Sequence, residues 1–211
     1  MFNIITRNGL ILALFALCCT GLVASVNFFT EDRIIEQQRK QLAGVLEQII
    51  PNHLHDNELT DDCILVTNKE FLGSDEALPV YIAKMNQQPV AIAIEAIAPD
   101  GYNGDIKIIL GVNNDNELLG VRTLTHQETP GLGDKIELRK SDWVLSFSGI
   151  KYDQNDKPMA VKKDGGDIDQ FTGATITPRA YVNAINNALS FVADNRESLY
   201  NTVNHCGREH D

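Results

Sequence analysis

Two stretches carry the residue types that could do chemistry. The first is Asp169 to Tyr181, DQFTGATITPRAY, where three threonines, a Gly-Ala pair and a proline crowd the approach to a helix. Tyr181, Ala184, Ile185, Ala188, Leu189 and Val192 fall on one apolar stripe of helical period. Thr177 followed by Pro178 reads as an N-cap and first helical residue. A turn of this kind offers unpaired N–H groups and the positive end of a helix dipole, a setting that suits a phosphate. No lysine follows, and the glycines are too few for a nucleotide-binding loop, so a phosphate here needs another reason to stay. A threonine hydroxyl is a poor nucleophile unless a base or another enzyme activates it. Ordinary capping and turn chemistry explains the same residues.

The second stretch is His126 to Gly133, HQETPGLG. Its glycines permit close backbone approach to a ligand and dihedrals closed to other residues. The competing reading is a proline-glycine loop shaped for its own sake. His126 is expected to be structural, since HxE alone is no metal site. Trp143, the one tryptophan, is expected in the core, while Tyr102 in GYNG stays open between core and ligand stacking. The spacings of His53 with His55, and of His205 and His210 with Cys206, give no metal site beyond chance.

These loops need a scaffold, and 211 residues allow an anchor plus one domain of moderate size. With 29 acidic and 18 basic residues the net charge is -11, and no basic stripe is present, which argues against nucleic acid as a partner. Gly9 to Phe29 contains no charge and is long enough to span a hydrocarbon core. The expectation is a retained anchor over residues 1–29, with the domain outside the cytoplasm. A cleaved signal peptide with a site near Val23-Ala-Ser25 is the alternative. Cys18 and Cys19 lack a small residue before them and read as packing residues in lipid, not lipid attachment sites. Cys63 and Cys206 in the exported domain are candidates for a disulfide that sequence alone leaves open.

Thr30 is expected to cap a juxtamembrane helix over residues 30–50 that continues from the anchor and packs on the domain, with Ile35, Leu42, Val45, Leu46 and Ile49 on its apolar face and Pro51 as its stop. Residues 51–77 read as polar and irregular. LPVYIAKM with PVAIAIEAIA, and GDIKIILGV with LLGVRTLTH, read as two hairpins turned by Asn86-Gln-Gln and by NNDNE. WVLSFSGI and KPMAVKK read as weaker strands, and residues 201–211 as a flexible tail. Strands in a run with helices at the ends predict an α+β fold: a single N-terminal transmembrane helix, then an antiparallel-sheet domain with flanking helices over residues 51–200.

The stretch DQFTGAT resembles the covalent flavin attachment motif, an aspartate followed by [S/T]-G-A-T, of the FMN-binding domain. That domain is shared by the G subunit of Rnf electron-transport complexes and the C subunit of sodium-pumping NADH:quinone reductase. One N-terminal anchor, then ETPGLG, then DxxTGAT, is similar to both proteins over nearly the whole chain, and the length favours the Rnf protein. The resemblance implies that Thr175, last in the tetrapeptide completed by Thr172, Gly173 and Ala174, carries FMN through a phosphoester. A covalently held phosphate needs no lysine, and the helix start at Thr177 then offers it N–H groups. The resemblance further implies backbone contacts to the flavin from Gly131 and Leu132, with Glu128 and Thr129 orienting a ribityl hydroxyl or ring edge. Asp169 is either recognised by the flavin-attaching transferase or its metal, or is a solvated turn residue. No catalytic acid–base pair and no resident metal is implied. The partners implied are the other Rnf proteins in the bacterial inner membrane, with the main domain periplasmic and electrons relayed so as to drive ion translocation. The alternatives are the C subunit of the quinone reductase, a non-redox binding or assembly module in which TGAT only caps a helix, and a threonine-nucleophile hydrolase. The last lacks an N-terminal threonine and a base at recognisable spacing.

Overall fold

The computed structural model describes residues 2–203. The chain divides into two compact units, Met1–Leu42 and Ala43–Asp211. Helix α1 runs without interruption over Phe2–Ile49. Within it, Ile5–Glu31 is long and apolar enough to cross a membrane. The hydroxyls of Thr20 and Ser25 donate to the carbonyls of Ala16 and Gly21, at 2.8 and 2.7 Å, so neither donor is left bare on this apolar segment. Thr30 does the same toward Val26. The helix continues from the anchor as expected, but Thr30 does not cap it: the ladder never breaks there, and the hydroxyl bonds backward inside the helix.

The second unit is built on a five-stranded antiparallel meander in the order β1 (Cys63–Asn68), β2 (Ser74–Met85), β3 (Gln88–Ala98), β4 (Ile106–Asn113) and β5 (Leu118–Thr125). The two expected hairpins are adjacent parts of this one sheet. Asn86 and Gln87, with φ of 51° and 65°, make the tight turn between β2 and β3, the left-handed pair that matches strand twist. The expectation of irregular chain over 51–77 is corrected: β1 pairs with β2, and a one-turn helix α2 (Lys69–Leu72) lies between them. Asn68 accepts from the Phe71 N–H at the start of α2, and Gly73 closes it at φ 73°.

Strand β3 alternates large and small, not apolar and polar, because both its faces are buried. Ile92 and Ile94 join one core with Ile108, Leu110 and Val121 from the neighbouring strands, covered by α3 (Ile176–Asn201) through Tyr181, Ile185, Ala188 and Val192. On the opposite face Ala93, Gly111 and Gly120 lie side by side across three strands and leave room for the last turn of α1. There Leu46 and Ile49 are fully buried, whereas Ile35 stays half exposed. Arg122 on β5 donates from Nε to Gln48 Oε1 at 3.0 Å, placing a cation at the C-terminal end of α1. Glu95, also on this face, is buried against the Lys107 ammonium at 2.6 Å; burial pushes its carboxyl up and the lysine pulls it back.

Two weaker strand expectations fail. WVLSFS forms a 3-10 helix over Asp142–Phe147, started by Ser141, which accepts from the Trp143 N–H. KPMAVKK is irregular chain ending in a 3-10 turn, Lys162–Asp164, with one bridge from Val161 to Ile168. Trp143 is buried as expected. Cys63 is buried and disulfide-bonded. Cys206, His205, His210 and most of the expected tail lie outside the described residues.

The seat of α1 makes a signed prediction about two glycines. A Cβ at Gly111 would stand 2.4 Å from Ile49 Cγ2, whereas a Cβ at Gly44 on α1 meets nothing within 4 Å. Gly111→Ala is expected to destabilise the protein by about 1–3 kcal/mol. Gly44→Ala is expected to stabilise it by about 0.5–1 kcal/mol through helix propensity. Thermal unfolding of the two variants, one falling and one rising, checks the packing.

Candidate functional site

The site forms where three loops meet the start of α3. Phe171 to Ala174 closes a turn, with the Ala174 N–H donating to the Phe171 carbonyl at 3.2 Å. Gly173 holds the third position at φ 82°, the left-handed conformation that such a turn demands. Helix α3 then begins at Ile176, with Thr175 as its N-cap. The helix therefore starts before the Thr177 expected from sequence, and Pro178 falls in the first turn, where a missing N–H costs nothing.

Thr177 does not cap. It is fully buried, and its hydroxyl donates to Glu128 Oε2. Glu128 is 4% exposed, and its other oxygen accepts from the Asn103 N–H at 3.1 Å. Its own N–H donates to His126 Nδ1 at 3.0 Å, which leaves His126 Nε2 to donate to Glu137 at 2.7 Å. His126 thus has the structural role expected of it. Arg139 and then His126 hold the Glu137 carboxyl at about 2. The Thr129 carbonyl accepts from both Leu132 and Gly133 N–H at 3.1 Å, and the Gly131 N–H donates to Asp134 at 2.8 Å, so ETPGLG is a closed turn. Gly133 is required by proximity: a Cβ there would lie 2.6 Å from Glu128 Oε2 and 2.9 Å from Thr177 Oγ1.

These loops enclose a cavity of about 240 Å³. Of the residues singled out in the sequence, Glu128, Thr129, Leu132, Gly173, Ala174, Thr175 and Thr177 line it. Thr172, Gly131 and Asp169 do not. Thr172 is exposed at the corner of the turn. Asp169 pairs with the Lys162 ammonium at 2.6 Å, and its carbonyl accepts from Trp143 Nε1 at 2.7 Å. Tyr102, Gly133 and Ile176 complete the lining, and Tyr102 and Ile176 are exposed enough to form its rim. Tyr102 was readable only as an aromatic between two glycines, and Ile176 carried no signal.

Beneath the turn, Trp143 packs edge-on against Phe171, Phe147 and Tyr181, with ring centroids 4.9, 4.9 and 5.4 Å away. The Tyr181 and Thr123 hydroxyls are hydrogen-bonded at 3.1 Å, and burial pushes the ionisation of the tyrosine up. This cluster fixes the start of α3 against β5. The three threonines therefore stand in different chemical states. Thr177 is committed, Thr172 faces solvent away from the cavity, and Thr175 lines the cavity with no hydrogen-bond partner for its hydroxyl among the described residues.

Comparison with known proteins agrees with this layout. Residues 101–190 match the FMN-binding domain family, a span that contains every residue lining the cavity, and residues 1–49 match the RnfG N-terminal region. The G subunit of the ion-translocating oxidoreductase complex of Shewanella oneidensis is 58% identical over 212 residues, all of each chain. The protein of the same name from Vibrio atlanticus is 56% identical over 99% of this chain and 100% of its own. The crystal structure of Shewanella oneidensis NqrC aligns over 71% of each chain at TM-score 0.44 and 22% identity, a likeness too distant to build on. With more than half of all positions identical from end to end, the chain belongs to the family of G subunits of ion-translocating oxidoreductase complexes and carries that family's FMN-binding domain.

Proposed function

We propose that this chain is a membrane-anchored flavoprotein that relays electrons within its complex through FMN held covalently, by a phosphoester, on Thr175. The observation that carries this reading is the uncommitted Thr175 hydroxyl, set in a cavity at the start of a long helix. Forming the ester makes one bond from the threonine oxygen to phosphorus, with loss of the hydroxyl proton. The donor is a flavin phosphoanhydride, whose leaving phosphate departs with the electron pair of the broken P–O bond. No general base is poised on Thr175 among the described residues, so a flavin-attaching transferase supplies it.

The residues present fit the group. Pro178 has no N–H and the Arg179 N–H donates to the Thr175 carbonyl, so the Ile176 and Thr177 N–H groups are the ones the α3 start has to offer a phosphate on Thr175. Thr172, Gly173 and Ala174 keep that approach narrow and unobstructed. About 240 Å³ is below the roughly 300–1,000 Å³ of pockets that enclose a whole drug-sized ligand. A cavity of this size would hold the phosphate and part of the ribityl chain, and the rest of the flavin would meet the exposed Leu132, Tyr102 and Ile176. Glu128 and Thr129 shape the wall. Gly131 acts through the turn it permits, and Asp169 serves recognition by the transferase, away from the cavity. FMN supplies one- and two-electron redox chemistry when bound, and the protein fixes its place and surroundings. The name of the relatives points to partners, the other subunits of an ion-translocating oxidoreductase complex; the apolar helix Ile5–Glu31 supports an anchor in the bacterial inner membrane, with the domain over residues 51–200 on the periplasmic side.

Peptide mass spectrometry of the protein from its own membranes tests the linkage. FMN is expected on the peptide containing Thr175; Thr175→Ala abolishes it, and Thr172→Ala leaves most of it. Flavin retained on another residue in Thr175→Ala would refute the assignment. A further expectation separates the two buried roles: Thr177→Val leaves Glu128 one donor short and costs about 1–3 kcal/mol in urea unfolding, yet covalent flavin still forms.

A further inference from the structure

The charge of the cavity is the feature that the flavin reading leaves unexplained. None of the residues lining it is a lysine or arginine, and one of them is a carboxylate. That carboxylate, Glu128, is 4% exposed. Both its oxygens accept from neutral donors, the Asn103 N–H and the Thr177 hydroxyl, and it has no cationic partner among the described residues. Two acceptor contacts fit the ionised form, which carries a full negative charge. Thr177 stands two residues after Thr175, no more than about 7 Å along the chain. The opposing positive element is the α3 N-terminus, equivalent to about half a unit charge. Lys135 is held elsewhere, its ammonium 5.9 Å from the centre of the Phe171 ring. Lys162 and Arg179 are paired with Asp169 and Asp164.

An anion entering this cavity meets a net negative wall in a partly dry setting, where charges are felt more strongly than in water. A free phosphate monoester carries about -1.5 to -2 at neutral pH. Esterification to a threonine leaves a diester, which carries a single negative charge that the helix N-terminus can meet.

Resting on the flavin reading of this site, we propose that the Thr175 cavity disfavours free FMN through the charge of Glu128, so that the covalent link alone retains the phosphate. Riboflavin, which has the ring and ribityl chain without the phosphate, meets no such opposition. The link then does more than prevent loss of a bound cofactor. It removes one of the charges the site opposes and supplies the attraction that a lysine provides elsewhere.

The test uses the full-length Thr175→Ala chain in detergent, titrated with riboflavin and with FMN by flavin fluorescence quenching at neutral pH and low salt. Riboflavin is expected to bind at least about tenfold more tightly. Adding Glu128→Gln narrows or reverses the ratio. Because that change also touches the bonds to Asn103 and Thr177, salt serves as a second measurement on Thr175→Ala: raising the ionic strength screens the repulsion and strengthens FMN binding while leaving riboflavin nearly unchanged. FMN binding as tightly as riboflavin in Thr175→Ala, for instance because Lys135 swings inward, overturns the proposal and leaves the covalent assignment standing. Absence of binding by either flavin also overturns it. The mass of the Thr175 peptide from the wild-type protein then decides separately whether the flavin reading falls.

Discussion

The site depends on one buried carboxylate. Glu128 receives the Asn103 N–H from the loop after β3 and the Thr177 hydroxyl from α3, while its own backbone is held by His126. Three chain segments far apart in sequence therefore meet at one side chain. A buried charge without an ion-pair partner is costly, and it persists only where its oxygens are met by well-placed donors. Those donors fix the register of the three loops, since moving any of them strips a hydrogen bond from a carboxylate that is only 4% exposed. Gly133 shows how tight the arrangement is, because even a methyl group there would intrude on both Glu128 and Thr177.

The sheet makes that meeting possible by burying both its faces with different partners. Isoleucines on one side receive α3, and a stripe of alanine and glycine on the other receives the end of α1. Tyr181 and the Trp143 cluster press the first turns of α3 against the sheet, so the helix start is held by packing as well as by hydrogen bonds. Rigid backing of this kind is what a cofactor site needs, because the loops alone would leave the threonine free to wander.

Much of this was legible in the sequence because it is local. The hairpins announced themselves through Asn86-Gln87 and the asparagine-rich turn at 113–117, and the apolar stripe of α3 through its period. The motif around Thr175 was legible too, although its meaning came from resemblance and not from spacing. What escaped was decided at long range. WVLSFS has the composition of a strand, but Trp143 turns inward to donate to Asp169, 26 residues on, and the segment winds into a 3-10 helix. Strand β1 is a short apolar run, CILVT, masked by the polar residues on either side of it, and its pairing with β2 is what makes it a strand. Thr177 looked like a cap because Thr-Pro is a good start signal, and nothing nearby revealed that a carboxylate 49 positions earlier claims its hydroxyl.

Thr175 and Thr177 together let one short run hold two roles. Successive helical residues turn by about 100°, so what a hydroxyl can reach is set by its residue's place in the turn. Both threonines line the cavity at the start of α3, yet only the Thr177 hydroxyl reaches Glu128, and that of Thr175 is left uncommitted. Shifting the helix start by a single residue would rotate both and exchange neither cleanly. The Thr177 hydroxyl therefore sets the phase of the helix on which that of Thr175 depends. The committed threonine makes the uncommitted one available.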